Sequence, residues 1–164
     1  MKKSTPSPDF AAPNKANDSG SAQQAKIPDL PCKIVSSADS RSYLYFISLN
    51  NRDIRITRAE NLPAYSQWRF HSLDRGTYNI RSHPDSDLYF TWTNNNTVFV
   101  RSSTGGDDQR WEVVDDGSGL VYIRRVLATG GGGYLCVDNN LTEGSAVELR
   151  YFENIKWQKF MPIL

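Results

Sequence analysis

From Lys33 onward the chain alternates short apolar runs with clusters of Gly, Asn, Asp, Ser and Pro that recur every 8–12 residues, and no stretch of helix length carries apolar residues at a 3.6-residue period. This texture predicts strands, beginning near Lys33, Tyr43, Ile54, Trp68, Tyr78, Leu88, Thr97, Arg110, Val121, Tyr134, Ala146 and Trp157, twelve in all. Residues 1–31 differ in kind. Phe10, Ile27 and Leu30 are the few large apolar side chains there, set among Ser, Pro, Ala, Asn, Gln, Gly and Lys. Such a segment buries too little apolar surface to offset its ordering entropy, so it is expected to be a disordered tail or linker, with residues 32–164 as the folded domain.

The strands repeat. Trp68, Trp111 and Trp157 stand 43 and 46 residues apart, and each opens a strand that continues with an apolar residue. Upstream of each lies a short apolar and aromatic run: Tyr43-Leu44-Tyr45-Phe46, Leu88-Tyr89-Phe90 and Tyr134-Leu135-Cys136-Val137. Between run and Trp sits an alternating strand ending on arginine: Ile54 to Arg58, Val98 to Arg101 and Val147 to Arg150. The twelve strands therefore divide into three units of four, at about 33–74, 75–118 and 119–164. One such unit cannot close its own core, whereas three around an axis form a short barrel with few exposed edges, the tryptophans filling a shared central layer. Trp92 falls outside the recurrence and reads as packing.

Charge and cysteine content narrow the functional classes. Of 19 basic and 18 acidic residues, four lysines and three aspartates lie in residues 1–31, leaving 15 of each sign for the rest. A body with no formal net charge lacks the basic footprint of a nucleic-acid binder. No apolar run approaches the length that spans a membrane. Lys2 and Lys3 are followed by Ser4-Thr5-Pro6 rather than by an apolar segment, so no classical secretory leader is expected, and a cytoplasmic or non-classically secreted protein is favoured. Cys32 and Cys136 fit two reduced thiols, or one bridge if the first and last repeats touch. No metal site or cofactor is expected: His71 and His83 carry no ligand motif, and Gly130-Gly131-Gly132-Gly133 is followed by no helix that would present its N-terminus to phosphate. No nucleophile or acid–base constellation stands out, so the chain is read as a binding module rather than an enzyme.

Gly76-Thr77-Tyr78-Asn79-Ile80-Arg81, then Leu88-Tyr89-Phe90, then Gly105-Gly106-Asp107-Asp108-Gln109-Arg110-Trp111-Glu112-Val113 resembles one repeat of the ricin-B-type β-trefoil lectins, fungal members above all. The Gln-x-Trp signature of that family is intact at Gln109-Arg110-Trp111, while Ser66-Gln67-Trp68 has Ser, and Ile155-Lys156-Trp157 has Ile, in the Gln slot. The resemblance covers residues 33 to 164 and implies an all-β trefoil of three four-strand repeats that binds glycans, galactose-type sugars among them, through shallow sites and gains strength from several sites or from dimerising.

A shallow sugar site needs polar groups for the hydroxyl rim and a flat apolar surface for the C–H face. By the resemblance, Cys136-Val137-Asp138 places Asp138 at the sugar-binding acid, with Asn139 and Asn140 in the following turn, Tyr151 near the stacking position and Asn154 shortly before Trp157. Aligned instead on Tyr134-Leu135, Cys136 takes the acid position. A weaker second site in the middle repeat comprises Arg101, Asp108 and Gln109, with Phe90 or Thr91 where the acid would stand. The competing reading is a protein-binding trefoil that inhibits a cysteine or serine protease through the loops Ser36–Ser42, Ala59–Ser66, His83–Asp87 and Thr129–Gly133.

Overall fold

The computed structural model describes residues 25–74, 76–84, 87–126 and 133–164. They form twelve strands: β1 (Lys33–Ser36), β2 (Tyr43–Phe46), β3 (Ile54–Thr57), β4 (Gln67–Ser72), β5 (Thr77–His83), β6 (Leu88–Trp92), β7 (Val98–Ser102), β8 (Trp111–Asp115), β9 (Val121–Arg125), β10 (Tyr134–Val137), β11 (Val147–Arg150) and β12 (Phe160–Ile163). Period-2 patterning accounts for them. In β2, Leu44 and Phe46 are buried while Tyr43 and Tyr45 are half-exposed, and in β11 Val147 and Leu149 are buried while Glu148 and Arg150 are not.

β1, β12, β9, β8, β5 and β4 pair in that order, and a bridge between Cys32 and Trp68 closes the ring into a six-stranded barrel. The hairpins β2–β3, β6–β7 and β10–β11 cap one end. This is the β-trefoil, and its pairing registers define which residues are equivalent under the pseudo-threefold. Leu44 faces Ile56, Phe90 faces Val100 and Leu135 faces Leu149, so these three pairs correspond. The cap is locked by a cycle of hydrogen bonds from the second residue of each pair. Ile56 N–H donates to the Ser145 carbonyl (3.0 Å), Val100 N–H to the Arg52 carbonyl (2.8 Å) and Leu149 N–H to the Asn96 carbonyl (2.8 Å), each carbonyl lying in a neighbouring repeat.

The central layer contains Trp68, Trp111 and Phe160, all fully buried. Trp68 and Trp111 each donate their indole N–H to a main-chain carbonyl, of Leu44 (3.0 Å) and Phe90 (3.1 Å), and Phe90 lies edge-on to Trp68 with centroids 4.4 Å apart. The third repeat departs from the expected register. Trp157 is only partly buried, lies in a 3-10 turn at Lys156–Gln158 and has the Lys156 ammonium 4.4 Å from its ring centroid. That turn matches the one at Asp107–Gln109, so Gln158-Lys159-Phe160 is the counterpart of Gln109-Arg110-Trp111, and the twelfth strand starts at Phe160. The Trp157 spacing misled because the loops of the last repeat are longer. The true interval from Trp111 is 49 residues.

Residues 1–24, where most of the expected tail falls, lie outside the described residues. Ala25 is buried and Ile27 packs against the core, beside Phe70 and Tyr78 of the β4–β5 hairpin. Cys32 and Cys136 are buried free thiols. Burial pushes Cys32 up to about 12, and pushes Cys136 up to about 11 against the opposing field of Arg150, so both are held as thiols at neutral pH. Trp92 is half-buried, its indole N–H donated to the Asp107 carbonyl (3.2 Å) and its face covered by the Arg125 guanidinium at 4.9 Å.

Candidate functional site

On the outer face of the third repeat, alternation along β9 and β10 turns Tyr122, Arg124 and Tyr134 away from the core side chains Ile123 and Leu135. Tyr122 meets Tyr134 edge-on at 6.0 Å. Phe152, from the loop after β11, closes the group at 5.2 Å from Tyr122 and 4.8 Å from Tyr134 while remaining 50% exposed. The result is an aromatic platform with one open surface. Its rim is polar. Tyr122 donates its hydroxyl to Asn154 Oδ1 (2.6 Å), Arg124 donates to the Tyr134 hydroxyl (3.0 Å) and pairs with Glu112, and Arg150 pairs with Glu148 (2.6 Å). Asn154 is held in the left-handed region at φ +51°, which Asn tolerates better than most residues. No hydrogen bond engages its amide nitrogen among the described residues.

A buried glutamine carries the loop that supplies Phe152 and Asn154. Gln158 donates to the Tyr151 carbonyl (2.6 Å) and accepts from the Glu153 N–H (3.0 Å). Gln109 performs the same service in the second repeat, accepting from the Thr104 N–H (2.8 Å) and donating to the Ser102 carbonyl (3.0 Å) and the Thr91 hydroxyl (3.0 Å). Ser66 stands in this position in the first repeat and donates its hydroxyl to the Pro63 carbonyl (2.7 Å).

The residues picked out from sequence are only partly brought together. Tyr151 is 89% exposed and its ring makes no aromatic contact among the described residues, whereas its neighbour Phe152 joins the platform. Asn154 sits on the rim. Asp138, Asn139 and Asn140 form the turn after β10, where Asp138 Oδ1 accepts the Asn140 N–H (3.1 Å). Asp138 stays close enough to influence both Cys136 and Arg150 electrostatically. The hairpin registers make Cys136 the equivalent of Thr91 and Tyr45, so Cys136 rather than Asp138 directly follows the core leucine. Tyr122, Arg124, Tyr134 and Phe152 were not picked out. The sequence signal for the first two was Val121-Tyr122-Ile123-Arg124, an alternation that sends an aromatic and a cation to one face.

In the second repeat Arg101 is exposed, Asp108 accepts the Thr104 hydroxyl (2.7 Å), and Gln109 is the buried loop anchor described above. A groove of about 530 Å³ lies beside it, lined by Asp74, Asn79, Gly105, Gly106, Gln109 and Arg110. Asn79 occupies the place that Tyr122 holds in the third repeat and donates to the Gln109 carbonyl (2.8 Å). The lining of this groove mixes polar side chains with Leu73 and contains no aromatic residue, unlike the third-repeat face.

The edge of the platform is pinned by Lys159, whose ammonium lies 5.5 Å from the Tyr122 ring centroid and 3.0 Å from Asp116. The Asp116 side chain is 3% exposed. Burial opposes its ionisation, but hydrogen bonds from Ser118 and the pairing with Lys159 outweigh burial and pull Asp116 down to about 2. A carboxyl depressed in the folded state contributes stability above its ordinary value near 3.8 and loses it as pH falls toward 2. Acid titration is therefore expected to remove about 2 kcal/mol in that window, and Asp116→Asn to remove most of that loss, as read by urea unfolding at pH 6 and pH 2.5.

Residues 64–150, more than half of the chain, match the family described as ricin-type beta-trefoil lectin domain-like. A search of curated proteins finds no match. Among solved structures, the designed threefold-symmetric protein ThreeFoil superposes with a TM-score of 0.70 at 21% identity, over 82% of this chain and 98% of its own. The Polyporus squamosus lectin bound to Neu5Acα2-6Galβ1-4GlcNAc gives 0.70 at 18%, over 84% of this chain. An exo-β-1,3-galactanase from Clostridium thermocellum gives 0.70 at 17%, over 85% of this chain. This chain spans 50% of the lectin and 31% of the galactanase, and at these identities the likeness is one of fold.

Proposed function

The chain belongs to the ricin-type β-trefoil lectin-like family, and from that premise we propose that it is a non-catalytic carbohydrate-binding protein whose principal site is the aromatic face of the third repeat. The observation that carries this reading is Phe152, half-exposed on Tyr122 and Tyr134 and bordered by side chains that donate and accept hydrogen bonds. A pyranose has one C–H face and a rim of hydroxyls, and a flat apolar surface with adjacent amide, guanidinium and carboxylate groups satisfies both. In this assignment Phe152 packs on the C–H face. Asn154 offers its free amide donors, Arg150 and Glu148 fix hydroxyls, and Asp138, Asn139 and Asn140 close the rim from the β10 turn. Tyr151, fully in solvent, folds over a bound sugar. The groove of the second repeat, with Arg101 and Asp108 nearby, is the secondary position. The partner is a glycan, and galactose-type sugars suit the shallow rim. Each site alone binds weakly, so two sites, or a homodimer, raise the avidity.

A glycan array on the full chain tests this, with Phe152→Ala and Asp138→Ala alongside. The parent is expected to bind a coherent set of glycans, with Phe152→Ala weakening them at least about tenfold, the cost of one central aromatic contact. Retained binding in both variants moves the site off the third repeat. A folded parent that binds no glycan overturns the reading and sends attention to the loops, with cysteine and serine proteases as the panel.

A further inference from the structure

The pseudo-threefold exposes an oddity on the β4–β5 hairpin. Three cross-strand pairs occupy equivalent places on the barrel wall: Met161 opposite Val35, Glu112 opposite Arg124, and Arg69 opposite Arg81. The first is apolar and the second is an ion pair. The third sets two arginines at directly opposite register positions, and like charges in that relation on a sheet are destabilising. Among the described residues neither arginine pairs with a carboxylate, and the Arg81 Nε is buried without a hydrogen-bond partner. Arg81 is held in place by the Tyr89 ring, 4.8 Å from its guanidinium carbon. His71 and His83 flank the pair on the same two strands. Arg69, His71, Arg81, Ser82 and His83 together line a recess of about 250 Å³, and the buried Ser82 hydroxyl also lacks a partner among the described residues.

Two planar cations converging on one recess, with neutral or cationic donors around them and unspent hydrogen-bonding capacity, match a tetrahedral oxyanion. We propose that this recess is a second ligand site, which takes a sulfate or phosphate monoester carried on a glycan. Arg69 and Arg81 would grip the oxyanion in fork geometry and His71 and His83 would complete its shell, offsetting the repulsion that the bare pair costs. The inference rests on the carbohydrate-binding reading for its carrier but not for its anion chemistry, so the two can fail separately.

The first measurement titrates inorganic sulfate, and separately inorganic phosphate, into the full chain while following the His71 and His83 imidazole resonances. Saturable shifts are expected, weakened about tenfold or more in Arg69→Gln and Arg81→Gln, each of which removes one charge-assisted contact. Arg41→Gln, a change at a largely exposed guanidinium in the β1–β2 turn that does not line the recess, should leave them unaltered. Arg69→Gln should melt at or above the parental temperature, since it relieves the like-charge opposition without removing the Arg81–Tyr89 contact. The second measurement compares galactosides with and without a 6-sulfate or 6-phosphate. The charged sugars should bind tighter at low salt, and the advantage should shrink as salt screens it and vanish in the Arg69→Gln, Arg81→Gln double variant. The sulfate and phosphate arms identify the ester. Absence of saturable anion shifts, or an advantage that survives the double variant, overturns the proposal. Anion binding with no sugar binding of any kind keeps the recess and overturns the carbohydrate reading instead.

Discussion

Trp111→Ala is expected to lower the free energy of unfolding by about 4 kcal/mol and Tm by roughly 10–15 °C. Trp111 is fully buried, and deleting its indole removes a large contact area from the central layer and opens a cavity that the rigid barrel cannot refill. The loss also strips the Phe90 carbonyl of its donor, and an unpaired buried carbonyl adds to the cost. The informative control is Trp157→Ala. Because Trp157 is only partly buried and Phe160 fills the third central position, that change should cost about 1 kcal/mol. Chemical denaturation of both variants checks the register directly. Equal losses would mean that Trp157, not Phe160, belongs to the central layer.

Gln158→Leu is expected to cost about 2 kcal/mol of stability and to weaken glycan binding at least about tenfold. Leucine matches the volume but abandons the Tyr151 carbonyl and the Glu153 N–H, the two main-chain groups that fix the loop bearing Phe152 and Asn154. The barrel loses an anchor, and the aromatic platform loses its third member. Phe152→Ala, in contrast, should weaken binding with little change in Tm, because its ring is half in solvent. Urea unfolding and glycan titration of the two variants separate a positioning role from a contact role. Gln158→Leu binding as well as the parent would show that the loop is not needed for the sugar.

The architecture was legible because strand alternation and threefold recurrence are local properties of the chain. Leu44, Phe90 and Leu135 declare the inner face by period-2 spacing alone, and Trp68 and Trp111 mark the same level in two repeats. Phe160 was not legible as the third member. Once the central indole becomes a phenyl ring there is no Trp to follow, and Trp157, three residues earlier, offers a false one. The proposed site overlaps the residues read from sequence only in part, for a similar reason. Asp138 and Asn154 belong to one repeat and one motif, whereas Tyr122 and Tyr134 come from two strands whose outward positions meet only because β9 pairs with β10. The Arg69–Arg81 opposition depends on the β4–β5 register and on comparison with two other repeats, information that sequence spacing does not contain.

The hydrogen-bond cycle of the cap has a further meaning for how the protein comes apart. Each hairpin has its strand amide tied to the turn of a neighbour, at Ile56, Val100 and Leu149, and no repeat holds both ends of such a bond. A single hairpin cannot be peeled away without stripping the partner of one neighbour and the donor of another, so the cap opens as a unit or stays closed. Partial unfolding of one repeat is thereby penalised by the other two, and the three turns share one fate. A ligand that tightens the third repeat in turn protects the amides of the first two, although it touches neither.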